Sequence, residues 1–150
     1  MSVSVRSKCI NYKLSKKRGY YMNNRQLAQE FSNGATTGKG SNMFIDGNTI
    51  YSYGYHYPIA RHLQGGITLI NASKYSSTTL RQLSHVKNAL ETRIIETPSC
   101  KLELAEQYLV DKMCEANQKR DRAKKQNSID TWLYIANKYR EMLQLLKKIQ

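Results

Sequence analysis

Acidic residues are scarce in the first part of this chain. Residues 1–90 hold twelve lysines and arginines but only two acids, Glu30 and Asp46, which gives that part a net charge of +10. Residues 91–150 hold twelve basic and nine acidic residues, a net charge of +3. So large an unbalanced positive charge favours a polyanionic partner. We therefore expect the protein to bind nucleic acid, either RNA or DNA.

Long hydrophobic runs are missing as well. No stretch of the sequence approaches the roughly 18–20 apolar residues that a transmembrane helix needs. Residues 1–21 are basic and polar, and they lack the apolar centre of a secretory signal. We expect a cytoplasmic protein (in the host cytoplasm if it is viral) that has no membrane partner.

Cysteine is rare. Three are present: Cys9, Cys100 and Cys114. An odd number at these spacings matches neither a disulfide framework nor a zinc signature, and no histidine stands at ligand spacing from them. The glycine-rich loop 34–41 also lacks the glycine and lysine spacing of a phosphate-binding NTPase loop. We predict reduced cysteines, no metal site and no cofactor.

The patterns that are present predict an α+β fold. Asn23 or Asn24 begins a short helix, and alternation of apolar and polar residues predicts strands at 42–45, 49–57 and 67–71. Thr79 caps a second predicted helix, whose apolar stripe is Leu80, Leu83, Val86, Leu90 and Ile94. The turn 46–48 is typical of a β-hairpin. We therefore predict a small α-β-β-β-α domain with an antiparallel sheet over residues 23–96.

Two more helices are predicted after this domain, and Pro98 stands in the first turn of the first of them. Their apolar stripes and the short break between them indicate an antiparallel helical hairpin over residues 97–150. This hairpin packs either on the small domain or on a second copy of itself, which would make a homodimer. Residues 1–22 are predicted to form a flexible basic arm.

Alternating tyrosines mark the second predicted strand. Tyr51, Tyr53, Tyr55 and Tyr57 share one face if 49–57 is a single strand. That face is either the aromatic wall of the core or a platform on which unpaired bases stack, and the weak apolar character of the opposite face favours the core. A bulge at Gly54 would split the set. Tyr51, Tyr53 and Tyr55 are the candidate stacking residues.

Basic residues gather in three places, the arm, the region around the second predicted helix, and the junction of the last two helices. Hydroxyls and free amides at a helix start favour a phosphate near residues 76–79. The candidate nucleic-acid contacts are Lys13, Lys16, Lys17, Arg18, Lys39, Arg61, Lys74, Arg81, His85, Lys87, Lys119, Arg120, Arg122, Lys124 and Lys125.

Catalysis is the less favoured interpretation. His56 or His85 supplies the residue type for metal-independent cleavage of a phosphodiester, but the basic part has too few carboxylates for a metal-dependent nuclease. We therefore predict a non-enzymatic protein with no catalytic residue and keep a metal-independent nuclease as a hypothesis to test.

The stretch from Gly47 to Ala60 reads GNTIYSYGYHYPIA and is followed by a serine and threonine cluster at 76–79. It resembles an uncharacterised domain family of phages and other mobile elements, over about residues 23–95. The resemblance implies a phage-like setting, in which small basic proteins bind nucleic acid or interfere with host defence. It adds an alternative function, an anti-CRISPR-like inhibitor that contacts a host nucleoprotein complex or its guide RNA. The predicted element order is also similar to the double-stranded RNA-binding fold, an analogy of topology alone.

Overall fold

The computed structural model describes residues 21–73 and 76–149. The candidate contacts Lys13, Lys16, Lys17, Arg18 and Lys74 lie outside the described residues. The helices are α1 (Asn24–Ser32), α2 (Ser77–Ala89), α3 (Leu102–Arg122) and α4 (Gln126–Lys148). The strands are β1 (Thr37–Lys39), β2 (Met43–Asp46), β3 (Thr49–Ser52), β4 (Pro58–Leu63), β5 (Ile67–Asn71) and β6 (Arg93–Thr97). The predicted α+β class, with a helix, a largely antiparallel sheet, a second helix and a C-terminal pair of helices, is confirmed.

The sheet has more strands than the alternation predicted. Its strands lie in chain order from β1 to β6, and every neighbouring pair is antiparallel except β5 and β6. Strand β6 was predicted as the end of a helix, because Ile94 stands four residues after Leu90. The helix ends at Ala89 instead, and the β-branched residues of β6 pair in parallel with β5. Helix α2 supplies the crossover that a parallel pair requires.

The tyrosine-rich stretch is two strands and not one. Strand β3 ends at Ser52, and β4 begins at Pro58. Between them Tyr53 takes a φ of 62°, and the backbone N–H of Ser52 donates to the carbonyl of Tyr57 at 2.9 Å. The prediction of one strand over 49–57 is wrong because this left-handed residue reverses the chain.

Helices cover the two faces of the sheet unequally. Helices α1 and α2 pack on one face through a core that includes Leu27, Phe31 and Val86. Helices α3 and α4 pack on the other face over Ile67, Leu69 and Ile95. Every residue of β5 is buried, as expected for a strand with helices on both sides. The helical hairpin therefore packs on the sheet of its own chain.

Local hydrogen bonds fix where the helices begin. Asn23 caps α1, and its side chain and that of Gln26 form a reciprocal capping box. Helix α2 begins three residues before the predicted start, since Ser76 and not Thr79 accepts the capping bond. Pro98, predicted at the first turn of the next helix, lies before α3, which begins at Leu102.

Candidate functional site

Among the described residues, no helix packs on one face of the sheet over β1, β2 and β3. Because side chains alternate along a strand, Phe44 and Tyr51 face away from α1 and α2, whereas their neighbours Met43 and Ile45 point into the core. The sheet residues that pack against the helical hairpin come from β4, β5 and β6. In the described part of the chain, the β1–β3 half of this face is not part of either core.

Three aromatic side chains occupy this surface, and we call Phe44, Tyr51 and Tyr55 the aromatic face. Phe44 and Tyr51 are cross-strand partners whose rings stack at 5.1 Å between centroids and 18° between planes. Tyr55, on the turn after β3, meets both rings edge-on, with centroids 5.0 Å from each. Such pairs contribute about 0.5–1.5 kcal/mol beyond simple burial. The three rings therefore support one another at the surface.

A hydrogen bond fixes the most exposed ring of the aromatic face. The Tyr55 hydroxyl donates to a carboxylate oxygen of Asp46 at 2.8 Å, although the side chain is 66% exposed. This bond and the negative charge of Asp46 raise the pKa of Tyr55 above its usual value. Tyr55 is therefore a neutral, oriented ring at physiological pH.

The predicted set of four tyrosines is divided between the core and the surface. Tyr57 is 8% exposed, lies in the core and donates its hydroxyl proton to the carbonyl of Ser73 at 2.8 Å. Tyr53 is 64% exposed, and Tyr51 is half-buried. Burial of the whole tyrosine face, the favoured interpretation, is wrong because the turn after Ser52 ends the alternation.

A basic and an aromatic residue border the aromatic face at β1. Lys39 pairs with Phe44 in the β1–β2 register and is exposed. Its ammonium group lies 5.7 Å from the centroid of the exposed Tyr21 ring. This cation–π contact places Tyr21, and with it the start of the described chain, at the edge of the sheet.

The candidates on α2 differ in their partners. Lys87 forms an ion pair with Glu96 on β6, whereas Arg81 is exposed and has no carboxylate partner among the described residues. His85 is half-exposed on the same helix. At the start of α2 the Ser76 hydroxyl accepts the Thr79 N–H at 3.1 Å, so one free amide of the predicted phosphate site is already bonded. Of the candidates on this helix, Arg81 is the free cation.

The tip of the helical hairpin carries a mixture of paired and unpaired bases. Lys119 bonds Glu115 at 2.8 Å and lies 4.7 Å from the centroid of the Trp132 ring. Arg120 contacts Asp121 at 3.3 Å. The exposed residues of the tip without a carboxylate partner in the described chain are Arg122, Lys124 and Lys125.

Arg61 has a structural contact. Its guanidinium donates to the carbonyl of Cys100 at 3.4 Å, so it joins β4 to the loop before α3. The Cys100 thiol is itself buried beneath this contact, with the carbonyls of Pro58 and Leu69 3.8 Å from its sulfur. Burial raises the pKa of Cys100 to about 12, against smaller opposing effects of Arg61 and of a backbone hydrogen bond.

This burial predicts selective cysteine chemistry. Because burial raises the pKa of Cys100 far above pH 8, its thiol stays protonated in the native protein, so iodoacetamide should modify the exposed Cys114 and leave Cys100 unmodified. Peptide mapping by mass spectrometry, with an unfolded sample as the control, measures both sites. Above about pH 9 the Cys100 thiol ionises in the unfolded chain but stays protonated in the folded protein. The free energy of unfolding should therefore fall as the pH rises above that value. Native modification of Cys100 at the rate of Cys114 would contradict this placement.

The histidines lie on separate elements. His56 is exposed on the β3–β4 turn, and His85 is on α2. His62, which the sequence did not single out, stacks on Phe31 at 4.0 Å and bonds the Phe31 carbonyl and the Thr68 hydroxyl. His62 therefore has a structural role, joining β4 to the end of α1 and to β5. The metal-independent nuclease at His56 or His85 stays a hypothesis to test.

Within residues 21–73 and 76–149, no three histidine, cysteine or acidic side chains converge as a group able to hold a metal ion. The same part of the chain contains no helix that is both long and apolar enough to cross a membrane.

Sequence reasoning missed Phe44 as a member of the site. The strand prediction placed it next to buried residues, and its link to the tyrosines arises only from the β2–β3 register and the turn that returns Tyr55 over the sheet. The hairpin signal at 46–48 was the one local clue, since it implies that Phe44 and Tyr51 lie opposite each other.

Comparison of the chain with protein-family models, with curated proteins and with solved structures gave no match.

Proposed function

We propose that this is a non-enzymatic nucleic-acid-binding protein whose affinity comes mainly from contacts to the phosphate backbone, encoded by a phage or another mobile element. The observation that carries the proposal is the set of exposed cations that have no carboxylate partner in the described residues. Five of the candidate contacts belong to this set, Lys39, Arg81, Arg122, Lys124 and Lys125, and so do Arg25, Arg93, Lys101, Lys138, Arg140, Lys147 and Lys148. Cations that already form an ion pair within the protein, such as Lys87 and Lys119, contribute less to phosphate binding.

The basic segment before residue 21 adds to this field. Lys16, Lys17 and Arg18 precede Tyr21 by three to five residues, and no acid lies among residues 1–20. These charges add to the positive charge of the chain that favours a polyanionic partner.

Salt dependence tests the proposal. Each phosphate contact releases counterions, so the logarithm of the association constant should fall linearly with the logarithm of salt concentration. We expect a slope of about −2 or steeper from fluorescence anisotropy with a labelled oligonucleotide. A slope near zero, or no binding at 50 mM salt, would remove the proposal.

Two variants on α2 sharpen this test. Arg81→Gln removes an unpaired cation and should flatten the slope by about one. Lys87→Gln removes a cation that is already paired with Glu96 and should leave the slope unchanged. Equal effects of both variants would show that the unpaired charges are not the contacts.

An inhibitor of a host nucleoprotein complex is the alternative function. The helical hairpin offers a protein-binding surface, because Leu133 and Tyr134 are exposed beside its basic tip. A pull-down from host lysate separates the two functions. A partner that survives nuclease treatment and is lost in Tyr134→Ser favours the inhibitor, whereas loss of every partner after nuclease treatment favours direct binding of nucleic acid.

A further inference from the structure

We propose that the aromatic face binds single-stranded nucleic acid, whose unpaired bases stack on Phe44, Tyr51 and Tyr55 while its phosphates lie toward Lys39. This inference rests on the proposed function and names its substrate class. It states whether the nucleic acid is single-stranded or double-stranded, because the unpaired cations alone would bind the phosphates of either.

The chemistry of the aromatic face, in which Tyr55 is exposed and Phe44 and Tyr51 are half-buried, supports a nucleobase as the occupant. Each ring has two faces, and the Phe44–Tyr51 stack uses one face of each partner. Every nucleobase has a flat π surface that stacks on such rings, with little dependence on base identity. Bases within a duplex are stacked on one another and do not present these surfaces. A sheet with exposed aromatic rings therefore favours a single strand over a duplex.

Charge gives the bound strand an orientation. On β1 and β2, Lys39 pairs with Phe44, whereas Asp46 lies two residues further along β2, about 7 Å away. The Asp46 carboxylate repels phosphate, and the Lys39 ammonium attracts it. The phosphate backbone should therefore lie at the Lys39 and Tyr21 side, with bases directed across the rings toward Tyr55.

Tyr53 provides an independent observation. It is exposed, yet it takes a positive φ that glycine adopts freely and that tyrosine adopts only at a cost. Nothing in the core uses its ring, which lies two residues from Tyr51 and two from Tyr55. An exposed aromatic side chain at a strained position of the turn that also carries Tyr55 supports a further stacking contact.

Binding measurements with matched variants test the inference. The probes are a labelled mixed-sequence DNA single strand, the same sequence as RNA, and its DNA duplex, at one salt concentration. The double variant Phe44→Leu and Tyr51→Leu keeps apolar bulk but removes two π surfaces, and it should weaken single-strand binding about 10- to 100-fold while changing duplex binding less than 3-fold. Tyr134→Leu is the control, because Tyr134 is 61% exposed beside Lys138 on α4 and should change binding less than 2-fold.

The variant Tyr53→Gly tests the loss of an aromatic ring without an expected loss of stability. Glycine removes the strain at φ 62°, so the melting temperature should stay unchanged or rise, while single-strand binding falls about 5-fold or more. A merely structural role of Tyr53 would give unchanged binding.

Each remaining outcome overturns the inference. Single-strand binding that is unaffected by the double variant, or a duplex bound as tightly as the single strand, leaves the proposed function standing without the aromatic face. Self-association abolished by the double variant would make the face an interface between copies of the chain. Failure to bind any of the three probes would remove the proposed function itself.

Discussion

Leu69→Ala should lower the free energy of unfolding by about 3–5 kcal/mol, because Leu69 is fully buried between the sheet and the helical hairpin. Its side chain packs in the same cluster as Leu109 on α3 and Leu146 on α4. Truncation therefore leaves a cavity between the sheet and the hairpin. Filling that cavity would require both the sheet and the hairpin to move. Urea denaturation followed by circular dichroism measures the loss.

The control for this substitution lies on the hairpin. Leu104→Ala removes the same atoms from a side chain that is 55% exposed on α3, and it should cost less than about 1 kcal/mol. Equal costs at both positions would contradict the packing of the hairpin on the sheet. Two separate unfolding transitions in the wild type would also contradict it, since a shared core predicts a single cooperative transition.

Gln82→Ala should lower the free energy of unfolding by about 2–3 kcal/mol, a large effect for a polar residue. Gln82 is fully buried on α2, where its carbonyl oxygen accepts the Ser52 hydroxyl proton and its amide donates to the Asn42 carbonyl at 3.1 Å. Loss of the amide leaves the Ser52 hydroxyl without a buried partner. Thermal unfolding measured by circular dichroism reports the change.

Gln82 also stabilises the turn between β3 and β4, which carries Tyr53 and Tyr55. The Asn42 carbonyl accepts the backbone N–H of Tyr53 at 2.9 Å as well as the amide of Gln82. Gln82→Ala should therefore weaken single-strand binding in the folded protein, whereas Gln29→Ala, at an exposed position on α1, should change neither stability nor binding. A Gln82→Ala protein as stable as the wild type would contradict the hydrogen-bonded role of this residue.

Local signals in the sequence were sufficient for much of the fold. The Asn23 cap, the Asp46–Gly47 turn and the apolar strand at 67–71 each depend on residues close together in sequence, and each is present in the structure. Strand β6 was missed because its stabilising partner, β5, lies more than twenty residues earlier. The spacing of four residues between Leu90 and Ile94 is typical of a helix. Only the pairing with β5 shows that Ile94 belongs to a strand.

The candidate site was less accessible to sequence reasoning. Tyr51, Tyr53 and Tyr55 were identified by alternation, but whether they are exposed depends on a backbone reversal at Tyr53 that a non-glycine residue rarely makes. Phe44 joins them only through strand register. The charge pattern indicated a polyanion without distinguishing paired from unpaired cations, because partners such as Glu96 for Lys87 lie on other elements.

Photo-crosslinking of the unmodified protein tests the central claim most directly. A single-stranded oligonucleotide containing 5-iodouracil is irradiated with the protein, and the tryptic peptides that carry the adduct are identified by mass spectrometry. Peptide 40–61 contains the whole aromatic face together with Tyr53, whereas peptide 126–138 contains the half-buried Trp132 and the exposed Tyr134. We expect the adduct on peptide 40–61, at Phe44, Tyr51, Tyr53 or Tyr55. Adducts confined to peptide 126–138, or none above the level seen with the duplex, would contradict the assignment of this face to nucleic acid.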